Sequence, residues 1–154
     1  MENHSAKLYD LVSSTDPEAV FVEISHILSL MDAGEVEKTL RRVYDDIVGL
    51  FYGKYPGYRA SNTKYHNLEH TTMVTLACAR LIHGCTEAGY RFDQTNILLG
   101  LLAALYHDSG LIQKNHDRKG TGAKYTIGHE ERSIEFMRKN LSKYEMSEDL
   151  MRDC

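Results

Sequence analysis

Ile97-Leu98-Leu99-Gly100-Leu101-Leu102-Ala103-Ala104-Leu105-Tyr106-His107-Asp108 is the stretch that decides how this chain folds. From Ile97 to Tyr106 it is apolar nearly all round, interrupted only by Gly100. A helix with no wet face belongs at the centre of a domain. The run is too short to span a bilayer, which takes about 20 residues. It ends in an imidazole and a carboxylate, groups that avoid a buried helix end unless something satisfies them. A divalent metal ion would satisfy both.

Working outward, nearly every segment carries helical periodicity. Asp93 can cap the central helix. Asp16-Pro17-Glu18 is a helix start, with Asp as N-cap, Pro at the first helical position and an acidic residue behind it. Val20, Ile24, Ile27, Leu28 and Met31 then form one stripe, which Gly34 is expected to break. Val36, Leu40, Val43, Ile47 and Leu50 form a second stripe. Tyr52 to Lys64, with Gly53, Pro56 and Gly57, reads as a loop. Asn67 can cap a third helix running to about His83, with His70, Val74, Ala77 and Leu81 as its inner face. Ser109 to Thr126 reads as a long loop, and His129 opens a fifth helix with Ile134, Met137 and Leu141 inward. No window alternates with period two, and no repeat or linker divides the chain. The expectation is one all-α domain over residues 1–154.

The chain has 154 residues, enough for one core, and a formal net charge of -4. That balance argues against a nucleic-acid polymer or a membrane surface as partner, while leaving room for a small anionic substrate. The polar start MENHSAKLYD predicts no signal peptide. Cys78, Cys85 and Cys154 have no framework spacing and read as reduced thiols of a cytoplasmic protein. Ser147 resembles a further N-cap, yet the sequence stops about two turns later. It reads as cut inside a helix, with a short final helix as the alternative. An open helical end could promote homo-oligomers.

The candidate ligands follow from these placements. His70 shares a face with Val74 and Ala77 and is expected to point inward. His107 and Asp108 end the buried helix and can share a site with it. Imidazole with carboxylate suits Zn, Mn, Fe or Ni. A lone histidine on an apolar face is usually a hydrogen-bonded core residue, so the metal reading rests on the three residues together.

Tyr65-His66-Asn67-x-x-His70, followed 37 residues after His70 by Ala104-Leu105-Tyr106-His107-Asp108, resembles the HD-domain metal-dependent phosphohydrolase superfamily. The first block is similar to the signature of cyclic-nucleotide phosphodiesterases. The likeness covers roughly residues 60 to 142. It implies an HD-type helical fold, one or two divalent metals (Mg, Mn, Zn or Fe) and hydrolysis of a phosphate ester. The substrate expected from it is a small molecule, a nucleotide or cyclic nucleotide. By the same resemblance, His70, His107 and Asp108 match metal ligands, and His66 matches the histidine that protonates the leaving oxygen. Asp108 is counted with His66 as catalytic. Gly128-His129-Glu130-Glu131-Arg132-Ser133 resembles a downstream helix start at which a histidine binds a second metal, so His129 is a further candidate ligand.

Lys64, Asn67, Lys114 and Lys124 are the candidate substrate-binding residues, since lysines bordering the site could hold phosphate oxygens. Two departures stand against the family pattern. Ser109-Gly110-Leu111-Ile112 follows His107-Asp108 where the phosphodiesterase branch carries a further histidine. The last metal-binding aspartate of such enzymes also has no match here, because only Asp149 and Asp153 follow the His129 block. A catalytically incomplete HD module that binds a nucleotide or protein is therefore one alternative, and this form could be inactive. A di-iron oxygenase of the same fold, motivated by His129, is another.

Overall fold

The computed structural model describes residues 12–144. The expectations at Ser147, Asp149, Asp153 and Cys154 lie outside them. Five α-helices follow in order: α1 (Pro17–Leu30), α2 (Gly34–Phe51), α3 (Leu68–Glu87), α4 (Gln94–Tyr106) and α5 (His129–Leu141). Short 3-10 turns cover Ser109–Leu111, Gly122–Tyr125 and Ser142–Tyr144. The described residues hold no strand, only an isolated bridge between Tyr58 and Lys114. The fold is all-α.

Caps set the helix starts. The Asp16 carboxylate accepts from the Glu18 amide at 3.0 Å and Pro17 occupies the first position of α1. Asn67 accepts from the His70 amide at 2.9 Å, and Asp93 accepts from Asn96 at 2.8 Å. Each side chain satisfies an amide that the first helical turn leaves open. The break after α1 is made by Asp32 rather than Gly34. Asp32 sits at φ 54°, in the left-handed region, while the amides of Ala33 and Asp32 return to the carbonyls of Leu28 and Ser29. That pattern is a Schellman close with aspartate in the usual glycine place. Gly34 instead begins α2.

One core joins the helices. It includes Val20, Ile24 and Leu28 of α1, Leu40, Val43 and Ile47 of α2, Leu76 of α3 and Leu101, Leu102 and Leu105 of α4. α1 lies on α3 and α2, and α4 lies between α3 and α2. α4 is thus central, as its composition demands, though Ala103 remains exposed.

The third helix runs on to Glu87, and its buried face is not the expected one. Leu68, Thr71, Thr72, Thr75, Leu76 and Ala79 are buried, whereas Leu81 is 68 % exposed and Ala77 is exposed. Two of the three buried threonines have their hydroxyls answered within the helix. Thr72 donates to the Glu69 carbonyl at 3.1 Å and Thr75 to the Thr71 carbonyl at 2.9 Å. In α5, Met137 and Leu141 point inward as expected, but Ile134 is exposed and Ser133, Phe136 and Asn140 are buried.

The two long connections are fastened to each other. The Arg59 amide donates to the Gln113 carbonyl at 2.9 Å, and the Asn115 amide to Gly57 at 2.9 Å. Asn62 donates to the buried Gln113 side chain at 2.7 Å and accepts from the Gly122 amide at 2.8 Å. These bonds hold the chain before α3 against the chain after α4. They bring His66 up to Asp108.

Candidate metal centre

α4 delivers the floor of the site. Its last residues turn at His107, and Asp108 (φ -105°, ψ 1°) starts the tight turn that follows. Asp108 is only 1 % exposed and sits at the carbonyl end of a helix, the negative end of its dipole. Burial there disfavours a carboxylate twice over. Among the described residues no Lys or Arg forms an ion pair with it; its neighbours are four histidines.

Their geometry is specific. His66 donates from Nδ1 to Asp108 Oδ2 at 2.7 Å. His107 Nε2 lies 3.0 Å and His70 Nε2 lies 3.5 Å from the same oxygen, and the two Nε2 atoms are 3.3 Å apart. His129 Nε2 approaches the other oxygen, Oδ1, at 3.7 Å. Asp108 lies at the bottom, while the imidazoles reach the surface with side-chain exposures of 20 to 42 %.

Two ring orientations are set by the backbone. His107 Nδ1 donates to the Ala104 carbonyl at 2.7 Å, and His129 Nδ1 donates to the Thr126 carbonyl at 2.9 Å. A carbonyl can only accept, so the neutral ring turns its Nε2 lone pair to the site, and only the protonated ring donates from Nε2 to Asp108. Donation from the far nitrogen to a carbonyl is the usual support of a metal-binding histidine.

The donor triangle fits a divalent ion. Ligands about 2.0–2.2 Å from one ion lie about 2.8–3.6 Å from each other in octahedral or tetrahedral arrangement. The edges among His70 Nε2, His107 Nε2 and Asp108 Oδ2 are 3.3, 3.0 and 3.5 Å. A looser group, His66 with His70 and Asp108, has one donor atom of each within 4.8 Å and could also hold a metal ion. The tighter triangle fits better, because the His66 contact of 2.7 Å is a hydrogen-bond length rather than a ligand edge.

Burial and hydrogen bonding act in opposite directions on the charges of the cluster. Burial pushes the Asp108 carboxyl up, but hydrogen bonds from His107 and His66 outweigh it and hold it below the ordinary value. The hydrogen bond to Asp108 raises His107 against the opposing effect of burial. Burial lowers His70, and the neighbouring His107 and His66 add to that.

α5 is docked on the turn after Asp108 by close contact. A Cβ on Gly110 would lie 2.1 Å from the His129 carbonyl oxygen and 2.7 Å from the Ser133 amide. Only glycine lets α5 come this near. Arg132 donates to the carbonyls of Gly110 at 2.7 Å and Ile112 at 3.1 Å, with its guanidinium 3.6 Å from the Tyr125 ring centre. The close approach at Gly110 is therefore what lets α5 bring His129 to the site.

The structure brings together His66, His70, His107, Asp108 and His129. His70 arrives at the rim of α3's buried face rather than on it. Asn67 is engaged as the cap of α3. Lys64 is exposed beside His66. Lys114 lies 3.8 Å from Glu135, and Lys124 is 2.5 Å from Asp117 while also donating to the Lys119 carbonyl. His116 is exposed. Tyr65 is 68 % exposed and tilts over the His70 ring at 4.8 Å. Sequence reasoning missed Ser133, Arg132 and Gln113. Ser133, four residues after His129 on one helix face, carried a readable signal; Gln113 carried none.

No family model, curated protein or solved structure matches the chain. Among the described residues no helix is long and apolar enough to cross a membrane, and Cys78 and Cys85 are free thiols.

Proposed function

We propose that this chain is an HD-type, metal-dependent phosphohydrolase acting on a small phosphate ester, with a nucleotide or cyclic nucleotide as the favoured substrate. The observation that carries the reading is the His70–His107–Asp108 donor triangle, with edges of 3.0 to 3.5 Å at a buried helix end. His70, His107 and Asp108 would hold the ion, with His129 beside the second carboxylate oxygen. A bound divalent ion (Mg, Mn, Zn or Fe) supplies Lewis acidity toward the phosphate and makes water easier to deprotonate.

The chain's own groups supply the rest. His66 is anchored through Nδ1 to Asp108, so its Nε2 edge remains for the substrate. Asp108 orients that ring, so that Nε2 would give a proton to the departing oxygen. Lys64, exposed and close to His66 in the sequence, would hold phosphate oxygens, whereas Lys124 is paired with Asp117. The free thiols suit a reducing, cytoplasmic setting.

The test is a panel of cyclic and linear nucleotides with Mn2+ or Mg2+, using the protein and a His66→Ala variant. Turnover that falls 100-fold or more in the variant while metal content stays constant supports the roles given. Metal-loaded protein without turnover on any ester sinks the hydrolase reading and leaves a binding module. A second reading follows from the two faces of Asp108, since Oδ2 meets His70 and His107 while Oδ1 meets His129. That arrangement suits two ions and, with iron, oxygen chemistry. A mixed-valence iron spectrum would support it, and a colourless active Mg2+ or Zn2+ protein would count against it.

A further inference from the structure

Ser133 is a buried polar residue on α5, 5 % exposed, and no ligand role falls to it. Its hydroxyl accepts from the Gly110 amide at 2.9 Å and donates to the His107 carbonyl at 2.8 Å. Its only proton is used on the residue before Asp108, and one of its lone pairs on the amide two residues after it. The hydroxyl therefore spans the turn that presents Asp108. It also sits one helical turn beyond His129, on the same face of α5. The backbone of the Asp108 turn and the backbone that aims His129 are thus tied through one oxygen atom. Arg132 reinforces the tie by donating to Gly110 and Ile112.

We propose that Ser133 is a positioning residue of the metal centre: its hydroxyl locks the His107–Gly110 turn to α5, so that His129 and the His107–Asp108 pair meet an ion as one unit. The inference rests on the metal-centre reading, but it does not depend on what reaction the centre performs. Metal affinity should respond to Ser133 although Ser133 touches no ion. Binding should in turn stiffen the Gly110 amide, because coupling between two sites is reciprocal.

The experiment is a competitive titration of Zn2+ alone into the parent, Ser133→Ala, Ser133→Thr, His129→Ala and the Ser133→Ala/His129→Ala double variant. Ser133 lines an open cavity of about 210 Å3 with Ala103, Ile134 and Met137, and threonine keeps the hydroxyl on the same carbon. Supporting-residue losses at metal sites run about 10- to 100-fold, and Ser133→Ala is expected at the lower end. Ser133→Thr should recover most of the affinity. The double variant should bind little worse than His129→Ala, since both remove the same contribution. A folded Ser133→Ala protein that binds Zn2+ like the parent overturns the proposal, as does a fully additive double variant. If Ser133→Ala does not fold, hydrogen exchange at the Gly110 amide of the parent decides. Slow exchange that slows further with Zn2+ is expected, and exchange indifferent to Zn2+ overturns it. A parent that binds no Zn2+ overturns this inference and the metal centre together. A parent that binds Zn2+ but hydrolyses nothing removes the hydrolase reading alone.

Discussion

Gly110→Ala is the sharpest test of how the site is assembled. The new methyl would stand 2.1 Å from the His129 carbonyl oxygen, 2.7 Å from the Ser133 amide and 2.9 Å from the Arg132 Cβ. Ordinary contact needs about 3.5 Å, so the α5 backbone must retreat by more than about 1 Å. Both nearer obstacles are backbone, which no side-chain rotation can move aside. The retreat stretches the Ser133–Gly110 bond of 2.9 Å and the Arg132–Gly110 bond of 2.7 Å beyond use. Overpacking costs about 1–3 kcal/mol, and each broken bond adds about 1 kcal/mol. The sum is roughly 3–5 kcal/mol, or a fall in Tm on the order of 10 °C for a domain of this size. The assay is thermal unfolding of the metal-free protein beside Gly84→Ala as control. Gly84 lies inside α3 with open space around it, so alanine there should stabilise by up to about 1 kcal/mol. Gly110→Ala melting within about 2 °C of the parent would refute the close docking of α5.

Further outcomes follow from other contacts. Thr71 is fully buried and its hydroxyl has no partner among the described residues, so Thr71→Val should raise stability by about 1 kcal/mol, read by urea unfolding. Asn140 is fully buried and joins Tyr106, Tyr55 at 3.0 Å and Asp46 at 2.5 Å, so Asn140→Ala should cost about 2–4 kcal/mol in the same assay. Asp117 is held well below its ordinary value of 3.8 by the hydrogen bonds from Lys124 and then Tyr125. A depressed folded-state pKa gives stability that is full above the unfolded value and is lost as pH falls toward the folded one. Asp117→Asn should therefore be less stable than the parent at pH 6, with the gap closing below about pH 4; a gap independent of pH would contradict the ion pair. The chain has no tryptophan, so Tyr65→Trp places a single reporter against His70, and its emission should be quenched by Co2+ at the stoichiometry of binding.

The legible parts of the sequence were those written in short range. Asp16, Asn67 and Asp93 announced their helix starts because a cap acts on amides two or three residues away. The all-round apolar run placed α4 at the centre, and the His107-Asp108 end of that run carried the site with it. The inner face of α3 was not legible. Val74, Ala77 and Leu81 make the better apolar stripe, yet Thr71, Thr72 and Thr75 are buried. Hydropathy counts a threonine as polar, while two of these hydroxyls are satisfied by the helix itself. The end of α1 was misplaced by two residues because an aspartate, Asp32, took the conformation that glycine usually supplies. The loop after Asp108 hid its purpose for a different reason. Gly110, Ser133 and Gln113 act through contacts 20 or more residues apart, or between two irregular segments, and no periodicity records such pairs.

The most direct measurement is elemental analysis of the purified protein beside a His107→Ala/Asp108→Ala variant, after incubation of each with Mn, Zn and Fe salts and removal of excess. Close to one or two equivalents of metal in the parent and almost none in the variant is the predicted result. A parent that retains no metal, or a variant that retains as much as the parent, would contradict the His70–His107–Asp108 centre and the function proposed from it.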